Sequence, residues 1–412
     1  MKFVVVTYGT EGDTRPLSAL CRGLIDAGHE VRLLADGTTL GSAKALDVPA
    51  AALAGDIKTA LRAGNAVSAG DGVTHLAAAL AGIANANAAA WMRDLAAAAR
   101  GCDAIVVSGL AAFVGLSVAE YLGIAAIGLG LIPITPTGAF PSPFLPPRLI
   151  PRCLNRISHR LVNGLVWRAF REATNAARAE ICGLPPRRAV WSDHPMLYGV
   201  SPSLLPRPRD WPENASLCGQ WIERPPNWTP KQDLSDFLAA GEPPLYVGFG
   251  SMAGFDRRNL LEAVIAAVAG RRALFYAGWS GIDAADLPAN FLAITDTPHS
   301  WLFPRTSLVI HHGGSGTTHS AARAGVPSVV VPFAGDQLFW ADRLRLAGVA
   351  GAPVNLKRLS APVLARAIAF AERAELRSRA TDLGLRMAAE DGVAAATAAI
   401  EKIMSDRRIP GR

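Results

Sequence analysis

The residues best suited to chemistry stand in one run of eight, His311-His312-Gly313-Gly314-Ser315-Gly316-Thr317-Thr318. The run follows an apolar stretch, Ser307–Ile310, and opens a helical pattern. Strand, glycine loop and helix start in that order can hold an anion, because backbone N–H groups freed by glycine converge with the positive end of the helix dipole. Thr317 and Thr318 can add hydroxyl donors and His312 an imidazole N–H. A bare tight turn is the plain alternative. A second candidate is Asp13, in Gly9-Thr10-Glu11-Gly12-Asp13 after the first apolar run. It can act as a base, or only cap the helix that carries Pro16. A third is Asp336-Gln337, a carboxylate and an amide side by side, suited to reading vicinal hydroxyls as acceptor and donor. Its plain alternative is a helix N-cap.

The elements that must position these residues alternate from end to end, the pattern of parallel α/β architecture. Strands are expected at Lys2–Thr7, Val31–Ala35, Ala104–Ser108 and Ala125–Leu129, with helices at Pro16–Ala27, Leu76–Ala99, Val114–Leu122 and Leu154–Ile181. In the second half, strands are expected at Leu245–Gly250, Ala273–Ala277, Leu292–Thr295, Leu308–His311 and Ser328–Pro332. The helices there fall at Arg257–Ala269, Thr317–Ala324, Gln337–Leu346 and Ala361–Ala389, the last broken. Between the halves, Pro202 to Pro244 is dense in proline and tryptophan and cannot hold a long helix or a central strand. The expected organisation is a first doubly wound domain over 1–215, a linker over 216–240, a second doubly wound domain over 241–392, and a segment over 393–412 that returns to the first. A ligand held between two such domains sits beyond the carboxyl ends of both sheets.

These motifs together resemble the family-1 GT-B glycosyltransferases. The likeness rests on Pro298-His299-Ser300-Trp301-Leu302-Phe303-Pro304, the run His311 to Thr318, Gly325-Val326-Pro327 and Gly335-Asp336-Gln337. It extends to Gly9 through Pro16, Gly28-His29-Glu30-Val31 and Tyr246-Val247-Gly248-Phe249-Gly250-Ser251-Met252, nearly the whole chain. Sterol glucosyltransferases and the bacterial enzymes of glycopeptide antibiotics are the nearest likenesses. The resemblance implies a nucleotide-sugar donor, with UDP-glucose first and a dTDP-sugar such as a rhamnose donor second. It places the diphosphate on His312, Gly314, Ser315, Gly316 and Thr317, with Gly12 alongside and Ser251 reaching a phosphate from the other side. It gives the base to the backbone at His299 and the sugar hydroxyls to Asp336 and Gln337. Asp13 takes the role of catalytic carboxylate, and direct displacement with inversion follows. Two positions depart from plant members: Ser320 stands where those have a ribose-binding Glu, and Asp296 where they have a Trp that stacks on the base. A UDP-sugar 2-epimerase on the same fold and a lipid-binding protein without catalysis are the rival readings.

No DxD occurs in the sequence, so neither a metal nor a resident cofactor is expected. Gly248-Phe249-Gly250-Ser251-Met252-Ala253 matches GxGxxA, but the next strand region, Arg271 to Gly278, lacks the acidic residue an NAD site needs. Five scattered cysteines with no CxxC suggest neither disulfide framework nor zinc. No apolar run reaches the ~20 residues of a membrane span, and the cytoplasm is the expected location.

The formal charge is +7, and residues 148–188 account for all of it, with nine arginines against Glu172 and Glu180. A local surplus of this kind is not the coating of a nucleic-acid binder. Leu154, Ile157, Leu161, Leu165 and Trp167 or Phe170 recur there at roughly helical spacing, with Arg152, Arg156, Arg160 and Arg171 mostly off the stripe. The stripe fits either an ordinary helix packed on the core or a segment bordering the acceptor cleft that touches anionic lipid at the inner membrane face. The alanine-rich stretch 76–99 fits either close packing or a wall beside a bulky lipophilic acceptor.

Overall fold

The computed structural model describes residues 1–65, 72–222, 228–250, 257–276, 278 and 287–408. Its first half runs β1 Lys2–Val6, α1 Glu11–Asp26, β2 Glu30–Asp36, α2 Gly41–Ala45, β3 Ala50–Leu53, α3 Ile57–Asn65, α4 Gly72–Ala98, β4 Ala104–Val107, α5 Ala112–Leu122, β5 Ala125–Gly130, α6 Asn155–Cys182, β6 Met196–Tyr198 and β7 Ala215–Leu217. The second runs α7 Gln232–Ala239, β8 Leu245–Gly248, α8 Arg257–Val268, β9 Ala273–Tyr276, β10 Phe291–Ile294, α9 His299–Leu302, β11 Leu308–His311, α10 Ser315–Arg323, β12 Ser328–Val330, α11 Gln337–Leu346, α12 Ala361–Ala371, α13 Ala374–Ala388 and α14 Gly392–Arg408.

Both sheets are parallel among the described residues, ordered β3-β2-β1-β4-β5-β6-β7 and β10-β9-β8-β11-β12. In β1, Phe3 and Val5 enter one apolar cluster and Val4 and Val6 the opposite one, so the strand is buried on both faces. In each sheet the strand order reverses at a switch point, β1/β4 in the first and β8/β11 in the second, where ligands bind in open α/β folds. Register keeps these strand ends level: Val6 lies opposite Val107, and His311 opposite Gly248.

The start of α1 differs from expectation. It begins at Glu11, because Thr10 and Asp13 form a capping box, and Pro16 lies inside the helix. Pro16 forgoes one backbone bond there. β3, an all-alanine and leucine strand, and the three-residue β6 and β7 carry no β-branched signal and were not expected. β7 pairs with β6 and carries the first sheet past the boundary expected at 215. Within the 216–240 segment, α7 packs on β10, and 223–227 lie outside the described residues. α14 returns to the first half, where Ala396, Ile400 and Met404 are buried with Leu17, Leu20 and Leu24 of α1. The halves also share a seam in which Phe140, Tyr198 and Trp211 pack with Phe339, Trp340 and Leu383. α4 serves both close packing and the cleft wall: Ala84, Ala88 and Ala96 are buried beside Trp91 and Leu95, while Ala77 and Leu80 line the space between the two sheets.

Candidate functional site

A cleft of about 2140 Å³ opens between the two sheets at their carboxyl ends. Asp13 enters it from the loop and helix start after β1. Its Oδ2 accepts the Thr10 amide at 2.8 Å and the Thr10 hydroxyl at 3.3 Å. The capping role is therefore real, and it fixes the carboxylate at the cleft wall. Gly9 makes this possible: a Cβ there would stand 2.3 Å from Asp13 Oδ2 and 2.9 Å from Asp13 Cβ. Burial raises the Asp13 carboxyl above its ordinary value, against the opposing Thr10 bonds.

Across the cleft, β11 ends at His311 and the glycine loop delivers His312 to the wall. Glycine is required around it. A Cβ on Gly314 would lie 2.4 Å from His312 Nε2, one on Gly250 3.0 Å from Cε1, and Gly313 adopts φ +93° against Gln337 and Val330. Burial pushes His312 down to about 4, so the ring is neutral at pH 7 and donates through one nitrogen only. His311 turns inward, where its Nδ1 accepts the Gly313 amide at 3.1 Å and holds the turn.

Gly314 is the N-cap of α10, so the helix start points its backbone amides at the cleft, which Gly314, Ser315, Gly316 and Thr317 all line. Thr318, by contrast, is fully buried and does not reach the cleft. The Ser315 hydroxyl is committed elsewhere, donating to the Leu131 carbonyl of the first half at 2.9 Å. That leaves the Ser315 contribution to an anion with its backbone.

Asp336 heads α11 without capping it; instead its Oδ2 accepts Trp340 Nε1 at 2.5 Å, one turn on. Burial pushes Asp336 up to about 6, and the charge on Asp13 adds to the rise. Gln337 Oε1 accepts the amides of Phe333 and Ala334 at 2.6 and 3.0 Å, which shapes the loop after β12. His299 lines the cleft with its ring stacked on Phe303 at 4.2 Å and edge-on to Tyr246, and burial lowers it to about 4. Gly12 is exposed at the rim. Ser251 lies outside the described residues.

Three participants escaped the sequence reading. Arg15 crosses the cleft to Asp296 at 2.6 Å, and Gln220 Nε2 reaches the Ser320 hydroxyl at 3.0 Å. Trp340 orients Asp336. Of these only Trp340 carried a local signal, its i,i+4 spacing from Asp336 on a helix. The first-half wall is apolar, with Phe113, Leu116, Phe170 and Trp191 lining it.

Two parallel-sheet domains facing a cleft, with the glycine-flanked start of α10 on one side and the Asp13 carboxylate on the other, define the GT-B fold class. Residues 273–401 match the family model described as the C-terminal domain of erythromycin biosynthesis protein CIII-like proteins. The chain is 35% identical over 428 residues to O-mycaminosyltylonolide 6-deoxyallosyltransferase of Streptomyces fradiae, covering 98% of this chain and 97% of that protein. It is 30% identical over 419 residues to a sterol 3-beta-glucosyltransferase of Arabidopsis thaliana, covering 98% of this chain and 68% of that one. The spinosyn forosaminyltransferase SpnP has the same fold, with a TM-score of 0.70 at 15% identity over 98% of this chain and 99% of that one. So does the glycosyltransferase VinC, solved with dTDP, at 0.68 and 17% over 98% of this chain and all of that one. The chain belongs to the family of sterol and antibiotic glycosyltransferases.

Proposed function

We propose that this glycosyltransferase moves a hexose, with glucose from UDP-glucose the first choice, to a hydroxyl of a lipophilic acceptor of the sterol or natural-product kind. The observation that carries the reading is the cleft itself: Asp13 on an apolar first-half wall faces the amides of α10, His312 and Asp336 on the other. An acceptor hydroxyl is a poor nucleophile, and Asp13 takes its proton as the new bond to the anomeric carbon forms. A carboxyl raised by burial is a stronger base than an exposed one, which suits this role. As the sugar departs, the leaving diphosphate gains charge, and donors fixed beforehand at the start of α10 stabilise that charge more than the ground state. Backside attack in one displacement inverts the anomeric centre. The apolar wall and the sterol relative support the acceptor class.

A dTDP-sugar is the second donor reading, favoured by the relative of Streptomyces fradiae, a deoxyallosyltransferase aligned along 97% of its length. A panel of UDP- and dTDP-sugars crossed with hydrophobic alcohols, followed by mass and by anomeric NMR couplings, decides among these. In that assay Asp13→Asn is expected to lower turnover by about 10²–10⁴-fold with nucleotide affinity intact. Unchanged turnover assigns the base elsewhere, and sugar-nucleotide epimerisation without an acceptor overturns transfer.

A further inference from the structure

The helix α6 is turned against its own pattern. Over its first turns the inward face is polar: Asn155 Nδ2 donates to the Gly138 carbonyl at 2.9 Å, the Ser158 hydroxyl accepts the Ser142 amide at 2.9 Å, and His159 Nε2 lies 3.1 Å from the Phe140 carbonyl. The loop 138–142 carries backbone groups that need partners when buried, and α6 supplies them. The cost falls on the opposite face, where the leucines are left in solvent. On α6 Leu161 is 63% exposed and Leu165 64%, with Ile157 beside them, and Leu149, 75% exposed, and Leu154 continue the stripe in the segment before the helix. Eight of the twelve exposed large apolar side chains among the described residues lie between 134 and 166, so the patch is local rather than a scatter.

The charge beside the stripe is mainly positive, with the exposed Glu172 one turn beyond Arg168. Arg148, Arg152, Arg160 and Arg168 are exposed, as are Arg171 and Arg188 farther along the segment, whereas three arginines have structural work. Arg178 is buried on Glu120 at 3.0 and 3.1 Å, Arg187 stacks on Trp191 at 4.3 Å, and Arg156 pairs with Asp210 at 2.7 Å. An exposed apolar ridge flanked by arginines matches a bilayer surface with anionic headgroups, the apolar side chains entering the acyl boundary while the guanidinium groups meet phosphate. The patch also adjoins the apolar side of the cleft, since Val166 and Phe170 of the same helix, and Ile134 and Phe144 beside it, line the cavity.

We propose that the exposed ridge Leu149–Leu165 with Arg148, Arg152, Arg160 and Arg168 docks the protein on an anionic membrane, so that an apolar acceptor passes from the bilayer directly into the cleft. Docking itself is independent of donor and turnover and is tested without substrate. Full-length protein is sedimented with phosphatidylcholine vesicles containing or lacking phosphatidylglycerol, at low and high salt. Binding is expected only with phosphatidylglycerol, and to fall with salt. Arg148→Glu/Arg152→Glu/Arg168→Glu should lower binding by at least ~fivefold for each arginine lost. Leu161→Ser/Leu165→Ser, both outside the cleft wall, should lower binding while leaving the melting curve and nucleotide affinity unchanged. Absence of binding at low salt overturns the proposal, as does binding that neither variant weakens. Self-association abolished by Leu161→Ser/Leu165→Ser, with no vesicle binding, also overturns it and assigns the ridge to contact between copies of the chain.

Discussion

Asp13 depends on a residue without a side chain. Because a Cβ on Gly9 would overlap the Asp13 carboxylate and its Cβ, Gly9→Ala must push the proposed base off the cleft wall. Turnover is expected to fall to near that of Asp13→Asn while calorimetry reports unchanged nucleotide binding, and wild-type turnover would show that Asp13 need not stand where it does. Asp336 permits a test by stability. Its folded value of about 6 lies above the ordinary 3.8, chiefly through burial. A raised carboxyl contributes stability that is complete below the unfolded value and is lost as pH rises through the folded one. Asp336→Asn should therefore gain on the wild type between about pH 4 and 6 and hold that gain above, by roughly 2 kcal/mol after allowance for partial exposure. Melting curves against pH check this. A variant less stable at pH 8 would mean the ionised carboxylate gathers more donors than Trp340.

Between residue and molecule the β11–α10 connection is the element on which the proposed nucleotide binding rests. Its parts were legible in the sequence, because an apolar strand, glycines and a helix start must adjoin to form an anion site and here do so within a dozen residues. What could not be read was which side chains turn away. His311 and His312 are adjacent yet point to different places, and the hydroxyls of Ser315 and Thr318 serve contacts or burial rather than the cleft; these outcomes depend on neighbours distant in sequence. α6 makes the same point more strongly. Periodicity located its apolar stripe, which the structure divides: Leu154, Ile157, Leu161 and Leu165 face outward, opposite the polar contacts to loop 138–142, while Trp167 is buried and Phe170 packs inward. In the connection itself, Gly313 has a left-handed φ, and a Cβ there would lie 2.8 Å from Val330 Cγ1 and 3.0 Å from the Gln337 carbonyl. Gly313→Ala is expected to cost about 1–3 kcal/mol and to weaken nucleotide binding more than tenfold, read by thermal melts and calorimetry. Loss of stability with affinity intact would detach the turn from the anion site.

At the scale of the whole molecule, the two positions that depart from plant relatives acquire a shared role. Asp296 and Ser320 stand at the positions to which the resemblance assigns base and ribose recognition in plant members, and here they are bonded to Arg15 and to Gln220. The seam of Phe140, Phe339 and Trp340 fixes one edge of the halves through apolar burial, with Phe140 and Phe339 at 5.2 Å. The Arg15–Asp296 pair spans the open cleft and is partly solvated, the side chains being 29% and 65% exposed. Exposed ion pairs contribute about 0.2–1 kcal/mol, so this pair adds little to what the apolar seam supplies. Arg15→Met and Asp296→Ala should each change nucleotide Kd by less than about fivefold, and the double variant should do no more than either single one, because both remove the same bond. Full additivity in calorimetry would mean that the pair does not persist in solution, and that Arg15 and Asp296 meet the nucleotide independently.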